Sequence, residues 1–152
     1  MPSTATVQTE PPADLEAALV AALRRRGQRV TPQRLAVARL LAERREHVTA
    51  EDVYQRVAER LPGVSLPTVY ATLDLLEELG LIRRLLTESG AVLYDPELTE
   101  HHHLVCAACG EITDIEAPLD DQHLRTAARR QGFTPDRSQV VVSGLCRACR
   151  QT

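Results

Sequence analysis

The sequence has no lysine and no tryptophan, and only 3% of its residues are aromatic. Its core must therefore be built from aliphatic side chains, and all 18 basic residues are arginine. Apolar runs are short and interrupted by Arg or Glu, which excludes a membrane-spanning helix. Residues 1–12 are polar and include two adjacent prolines. We predict a disordered tail there rather than a targeting signal, and a cytoplasmic location.

Cysteine is scarce too, and its four copies form two C-x-x-C pairs, Cys106 with Cys109 and Cys146 with Cys149. Four thiolates in two such pairs can complete the tetrahedral shell of a structural Zn²⁺ ion. Two disulfides, a redox-active pair and an iron–sulfur centre are the alternatives. Disulfides are typical of secreted chains, and a redox motif would explain one pair and leave the other idle. The doubled motif therefore favours a four-cysteine zinc site.

Charge is distributed unevenly along the chain, although the net value is only −3. Eight arginines fall between Arg24 and Arg45, against the single acid Glu43. A basic first half indicates contact with phosphate. A solvated helix face would show the same composition and is the alternative.

The first half is predicted to be helical. Asp14, Thr31, Thr49 and Ser65 each precede a segment with apolar residues at helical spacing, as helix-capping residues do. Beyond Gly80 the pattern changes to two β-prone runs, 81–86 and 91–94, joined by a turn at 87–90. Helices followed by a hairpin predict a winged helix-turn-helix, whose fourth helix would enter the major groove. A four-helix protein-interaction domain is the alternative.

The second half is predicted to be mixed, with strands at 103–115 and 139–143 and a helix at 119–131. The fold class is thus α+β. A winged-helix DNA-binding domain at 13–86 is followed by a hinge at 87–95 and a small α/β dimerisation domain with the zinc site at 96–152. The predicted DNA contacts include the polar groups on the exposed side of the fourth helix. The full set of predicted DNA contacts is Arg24, Arg29, Thr31, Gln33, Arg34, Ser65, Thr68, Tyr70 and Thr72.

Three consecutive histidines, 101–103, stand just before the first C-x-x-C pair. On a strand, His101 and His103 share one face and His102 lies on the other. A polyhistidine run can be a solvated edge, but Asp95, Asp114 and His47 are further candidate metal ligands. The remaining histidine, in the last predicted helix, is expected to be structural or exposed to solvent.

Several segments, in order and at matching spacing, resemble the ferric uptake regulator (Fur) family: 29–34, 47–54, 68–73, 80–82, 101–106 and the second C-x-x-C pair. The resemblance extends from about Leu15 to Cys149. It implies a homodimeric, metal-dependent transcriptional repressor. Its N-terminal winged helix would bind double-stranded operator DNA, and its C-terminal domain would dimerise around a four-cysteine Zn²⁺.

The same resemblance implies a regulatory Fe²⁺ or Mn²⁺ site formed by His47, Asp95, His101, His103 and Asp114. Imidazoles and carboxylates suit Fe²⁺, Mn²⁺ or Zn²⁺. An ion held by residues of both domains would fix the angle between them and so act as an allosteric effector.

The two aspartates resemble the peroxide-sensing branch, in which iron-catalysed oxidation of a histidine, at the positions of His47 or His101, releases DNA. An iron-responsive regulator is the alternative, and a zinc regulator is less favoured because all four cysteines are already assigned. A third metal site of some relatives would fall on Glu100, His102, Asp121 and Ser138, where a late histidine is missing, so none is predicted. A metal-dependent hydrolase or redox enzyme would leave the first half without a role, and the sequence shows no nucleophile–base pair.

Overall fold

The computed structural model describes residues 14–151, so the predicted tail lies outside the described residues. The chain divides into two compact units, the first ending at Thr99 and the second beginning at Glu100. The elements in chain order are α1 (Leu15–Arg25), α2 (Pro32–Glu43), α3 (Ala50–Arg60), α4 (Leu66–Glu78), β1 (Arg83–Leu86), β2 (Val92–Asp95), β3 (His102–Cys106), β4 (Ile112–Ile115), α5 (Gln122–Arg130), β5 (Val141–Gly144) and α6 (Arg147–Arg150). Within 14–151, no helix is long and apolar enough to cross a bilayer.

The first two helices begin at the predicted capping residues. The Asp14 carboxylate accepts a hydrogen bond from the backbone N–H of Ala17 at 3.0 Å. At α2, the Thr31 hydroxyl accepts one from the N–H of Arg34 at 3.3 Å, and Pro32 occupies the first helical position. These bonds satisfy N–H groups that have no partner inside the helix.

The next two helices are also capped as predicted. Thr49 and Asp52 form a reciprocal capping box at α3, each side chain accepting from the backbone N–H of the other residue at 3.1 Å. The Ser65 hydroxyl accepts from the N–H of Thr68 at 3.3 Å and starts α4. Gly80, at φ 70°, turns the chain away after α4, which favours glycine.

The four helices pack around one aliphatic core, which belongs to the first unit. Leu19, Leu23, Val37, Leu73 and Leu76 are among its most deeply buried members. This agrees with the expectation that a chain so poor in aromatics builds its core from Leu, Val and Ala.

The hairpin β1–β2 completes the first unit. Its strands are antiparallel with Arg83 opposite Asp95, and the turn at 87–90 has Gly90 at φ 82°. Residues 92–95 therefore form a paired strand, whereas the sequence predicted a hinge at 87–95. A backbone bridge also joins Val48, just before α3, to Tyr94 of β2.

The second unit contains a three-stranded sheet in the order β4-β3-β5, with β3 antiparallel to β4 and parallel to β5. The helix predicted at 119–131 is shorter, because the N–H of Asp121 bonds the carbonyl of Leu119 in a turn and α5 begins at Gln122. The strand predicted at 139–143 is shifted to β5. The four-residue helix α6, within the second C-x-x-C pair, was not predicted.

The second unit has almost no apolar core of its own. Among its described residues, only His101, His102, His103 and Cys106 are fully buried. Every residue of β5 is exposed. Since burial of apolar surface is the main stabilising term for small domains, this unit must be stabilised in another way.

Candidate metal centres and nucleic-acid interface

The four cysteines converge at one end of the sheet of the second unit. Cys106 ends β3, and the backbone N–H of Gly110 donates to the carbonyl of Cys106 at 2.9 Å, which closes the turn that contains Cys109. All four thiols are free, and their sulfur atoms lie within 4.8 Å of one another. The Sγ atoms of Cys109 and Cys146 are 3.8 Å apart. Thiolates bound to zinc at about 2.3 Å in a tetrahedron are separated by roughly 3.8 Å, so the cluster fits this ion.

The protonation of these sulfurs also suits a cation. Backbone N–H groups of Cys146, Cys109 and Ala108 donate to the Cys106 sulfur and lower the pKa of Cys106 to about 6. Hydrogen bonds from the Cys149 thiol to the other three sulfurs raise the pKa of Cys149 to about 12. The protein alone thus stabilises one thiolate while a second thiol keeps its proton, since several negative charges cannot crowd together. A divalent cation would let all four ionise.

A second cluster forms on β3 and β4. The Nε2 atoms of His101 and His103 lie 3.1 Å apart, and their ring centroids are separated by 4.7 Å. Asp114 is the direct partner of His103 across the two strands. Its Oδ1 lies 3.5 Å from His103 Nε2 and 3.8 Å from His101 Nε2. Donors bound side by side to one metal at about 2.1 Å are roughly 3.0 Å apart, so these three atoms lie close enough to be candidate ligands of one ion.

The first unit holds a smaller cluster of the same chemistry. His47 precedes the bridge residue Val48, and Asp95 follows the bridge residue Tyr94. As a result, His47 Nε2 lies 3.4 Å from Asp95 Oδ2. Asp95 is 2% exposed and accepts a hydrogen bond from the N–H of Glu97 at 2.8 Å.

The residues at the third-site positions make other contacts. His102 is buried, and its Nδ1 accepts from the N–H of Val140 at 3.3 Å. Hydrogen bonds from Ser138 and Arg125 lower the pKa of Asp121, whose carboxylate lies 2.5 Å from Arg125 Nε. The guanidinium thus supplies the positive charge beside this carboxylate.

Most arginines of the first unit are already neutralised by carboxylates. Their ion pairs are Arg26 with Glu78, Arg39 with Glu16, Arg44 and Arg56 with Glu46, Arg45 with Glu97, Arg60 with Glu43, and Arg84 with Asp74 and Glu77. Within residues 14–151, four arginines of this unit have no carboxylate partner: Arg24, Arg25, Arg29 and Arg34. They occur at the end of α1 and around the start of α2. Within the first unit, the positive charge available to an external anion is therefore concentrated at this edge.

An open groove of about 680 Å³ lies along this edge, between the start of α2 and the first half of α4. Six of the predicted DNA contacts line it: Arg29, Thr31, Gln33, Arg34, Thr68 and Thr72. The Arg34 guanidinium donates to the backbone carbonyl of Arg29 at 2.6 Å, which holds its charge at the groove.

Thr72 does not lie on the exposed side of α4, so that expectation was wrong. Its side chain is buried, and its hydroxyl donates to the backbone carbonyl of Thr68 at 2.8 Å. The hydroxyl of Ser65 caps the helix and lies 2.8 Å from that of Thr68. Tyr70 is exposed as expected, but it lies outside the groove, and its hydroxyl donates to Glu51 at 2.6 Å.

Sequence reasoning missed two residues of this region. Arg25 was counted in the basic run but not chosen as a contact, and only its lack of a carboxylate partner within residues 14–151 identifies it as available. Glu51 was noted only within the segment 47–54 of the family resemblance, and nothing in the local sequence places it against Tyr70, 19 residues away.

Residues 25–143 match the sequence profile of the "Ferric uptake regulator family". The peroxide-responsive repressor PerR of Staphylococcus epidermidis is 30% identical over 132 residues, which is 87% of this chain and 88% of that protein.

Solved structures agree. The Helicobacter pylori ferric uptake regulator Fur superposes with a TM-score of 0.76, covering 91% of this chain and 95% of that one, and at 21% identity it shows the fold. The Pseudomonas aeruginosa ferric uptake regulator, solved with manganese, is 30% identical with a TM-score of 0.64, covering 84% of this chain and 97% of that one. The family resemblance is thus confirmed: the chain belongs to the ferric uptake regulator family.

Proposed function

We propose that this protein is a homodimeric, metal-dependent transcriptional repressor of the bacterial cytoplasm. It binds operator DNA through a winged helix-turn-helix when a regulatory Fe²⁺ or Mn²⁺ ion is bound, and a structural Zn²⁺ holds its second unit together. The observation that carries this proposal is the presence of two clusters of hard-to-borderline donors, one in each unit, beside a separate four-sulfur cluster.

The regulatory ion is assigned to both donor clusters together. Neither His47 with Asp95, nor His101 and His103 with Asp114, supplies the five or six ligands that Fe²⁺ and Mn²⁺ usually take. Only five residues separate Asp95 from His101, a span of at most about 20 Å even when extended. One ion that draws ligands from both units favours one arrangement of them, which is how binding at this site would control DNA affinity.

DNA binding is supported by the four arginines without carboxylate partners and the groove beside them. Helix α4 follows α3 after a short turn, and the hairpin β1–β2 follows α4 in the place of a wing. In this arrangement the exposed residues of α4 read bases while the arginines hold phosphates.

Dimerisation is supported by the exposed apolar surface of the second unit. Leu124, Phe133, Val142 and Leu145 are 61%, 71%, 48% and 56% exposed. The edge strand β5 and helix α5 carry or adjoin these residues, and a second copy of the chain would cover them. Two copies also supply the two recognition helices that a two-fold symmetric operator requires.

Peroxide is the proposed signal, with iron availability as the alternative. The carboxylate ligands are both aspartates, as the resemblance to the peroxide-sensing branch implies, and the S. epidermidis relative is named a peroxide-responsive repressor. Bound Fe²⁺ supplies the chemistry that activates hydrogen peroxide. One peroxide oxygen ends on the imidazole of His47 or His101 and the other leaves as water, and the oxidised ligand no longer holds the ion.

The proposal is tested in two steps. First, the zinc-containing protein selects fragments from a random double-stranded DNA library with or without Mn²⁺. Enrichment of a two-fold symmetric motif only with Mn²⁺ is expected, and equal enrichment without it would contradict metal control. Protein loaded with Fe²⁺ is then treated with a low dose of hydrogen peroxide, and the masses of its peptides are measured by mass spectrometry. An added oxygen on His47 or His101, absent from an Mn²⁺-loaded control, is expected for a peroxide sensor, whereas its absence favours an iron-responsive repressor.

A further inference from the structure

The exposed surface of α4 offers few groups that can read a base. Pro67 and Ala71 carry no hydrogen-bonding side chain. Asp74 is paired with Arg84, and Thr68 is bonded to Ser65. Tyr70 is the remaining polar side chain exposed on the first half of the helix, and it is 38% exposed.

The Tyr70 hydroxyl has its single proton engaged. It donates to Glu51 Oε1 at 2.6 Å, a short distance typical of a bond to a charged acceptor. Glu51 lies in the first turn of α3, where the helix dipole favours a negative charge. An ionised carboxylate can only accept, so the direction of this hydrogen bond is fixed. The same bond raises the pKa of Tyr70, so the phenol remains protonated.

We propose that Glu51 is a specificity-determining residue, because it makes the Tyr70 hydroxyl an obligate hydrogen-bond acceptor at the DNA surface. This inference rests on the proposed function. An acceptor in the major groove pairs with an exocyclic amine, which only adenine N6 and cytosine N4 provide. Guanine and thymine present acceptors there and are left unpaired. Each Tyr70 thus selects adenine or cytosine on the DNA strand that it contacts. Tyr70 itself lies outside the protein groove that Arg29 and Arg34 line.

A free tyrosine hydroxyl would not discriminate in this way, because it can rotate to donate or accept. Glu51→Gln keeps the length of the side chain, but its amide can both donate and accept. The variant therefore releases the direction of the bond without removing Tyr70. Tyr70→Phe removes the hydroxyl altogether. Both residues are exposed, so neither change disturbs the core.

The matched control is Glu59→Gln, which removes one negative charge from the same helix. The Glu59 side chain is exposed and makes no hydrogen bond or ion pair with any residue that the structure describes, although its charge acts on Arg56. Any general effect of lowering the negative charge on α3 will appear equally in this variant, as a uniform gain in affinity for all sequences.

The experiment is selection from a random double-stranded DNA library by the wild type and the three variants, each loaded with Mn²⁺, followed by affinity measurements on the motif with each base at every position. In the wild type and Glu59→Gln, one position per half-site should favour adenine or cytosine over guanine and thymine by about 5-fold or more. In Glu51→Gln and Tyr70→Phe that preference should fall to near unity while the rest of the motif is retained.

Three results would overturn the inference. The first is an unchanged preference in Glu51→Gln, and the second is a preference for guanine or thymine at the position that Tyr70→Phe loses. A uniform affinity change in Glu51→Gln equal to that in Glu59→Gln would do the same. If the wild type enriches no motif with Mn²⁺, the proposed function itself fails, which is a distinguishable outcome. As a chemical check, replacing the preferred base with an analogue that lacks the exocyclic amine should weaken wild-type binding and leave Tyr70→Phe unaffected.

Discussion

The strongest test of the nucleic-acid interface is the replacement of Arg29 by alanine. In the first unit of each protomer, four arginines lack a carboxylate partner within residues 14–151, so a dimer that places each of these on one phosphate would make eight such contacts. The logarithm of the binding constant should then fall with the logarithm of salt concentration with a slope of roughly −7.2. Arg29→Ala removes two contacts per dimer, which should reduce the slope to roughly −5.4 and the affinity at 0.15 M salt by about 30-fold.

The matched control is Arg60→Ala, which changes the charge equally but removes a guanidinium that lies 2.9 Å from Glu43. Its slope should equal that of the wild type. Binding is measured by fluorescence anisotropy on one labelled operator, with Mn²⁺ present, over a series of salt concentrations. Equal slopes for Arg29→Ala and the wild type, or equal losses in both variants, would show that carboxylate pairing does not determine which arginines meet phosphate.

Three further changes probe the other sites. Cys106→Ser should unfold the second unit and leave the first folded, because zinc sites supply about 10–16 kcal/mol and this unit buries almost no apolar side chain; hydrogen exchange should lose protection from residue 100 onward only, and retained protection there would refute the reasoning. His103→Ala should weaken Mn²⁺-dependent DNA binding by at least about 100-fold, since even indirect contacts to a metal matter 10–100-fold; unchanged zinc content and an intact dimer by light scattering would show that the fold is retained, and a monomer would point to a structural role. Asp52→Ala should destabilise the first unit by about 1 kcal/mol at neutral pH, as loss of a helix cap does. Hydrogen bonds from the Thr49 side chain and backbone lower the pKa of Asp52 below 3.8, so this stabilisation is present above that pH and is lost as the pH falls through the lowered pKa; in chemical denaturation the difference between variant and wild type should shrink in acid, and a constant difference would contradict the assignment.

Local rules were sufficient for the first unit and for the sulfur cluster. The caps at Asp14, Thr31, Thr49 and Ser65 depend on residues three positions apart, which the sequence displays directly. The C-x-x-C spacing fixes two sulfurs at a time in the same way. Clusters that depend on short spacing can therefore be predicted without knowledge of the tertiary structure.

Charge and exposure could not be predicted in this way. Arg26 is neutralised by Glu78 and Arg39 by Glu16, and these partners lie 52 and 23 residues apart. A count of charges within a window cannot detect such pairs, so it overestimates the basic surface. Thr72 was grouped with the polar residues on the exposed side of α4, whereas packing of α4 over the core buries it.

The bridge between Val48 and Tyr94 positions the two ligands proposed in the first unit, His47 and Asp95. Val48 and Tyr94 exchange backbone hydrogen bonds of 3.1 and 2.8 Å. These bonds bring the neighbouring side chains of His47 and Asp95 close together. The Tyr94 ring is buried, and the Arg84 guanidinium lies 5.6 Å from its centroid. The same guanidinium is paired with Asp74 and Glu77 of α4.

A metal ion that tightens the contact between His47 and Asp95 therefore acts on a bridge that is connected through Tyr94 and Arg84 to the proposed recognition helix. His47 and Asp95 adjoin this bridge and have little freedom to separate, so the proposed ligand pair would already be arranged before an ion binds. The cost of ordering these two ligands falls on the folding of the first unit rather than on metal binding, and the binding energy that remains is available to select one arrangement of the protein.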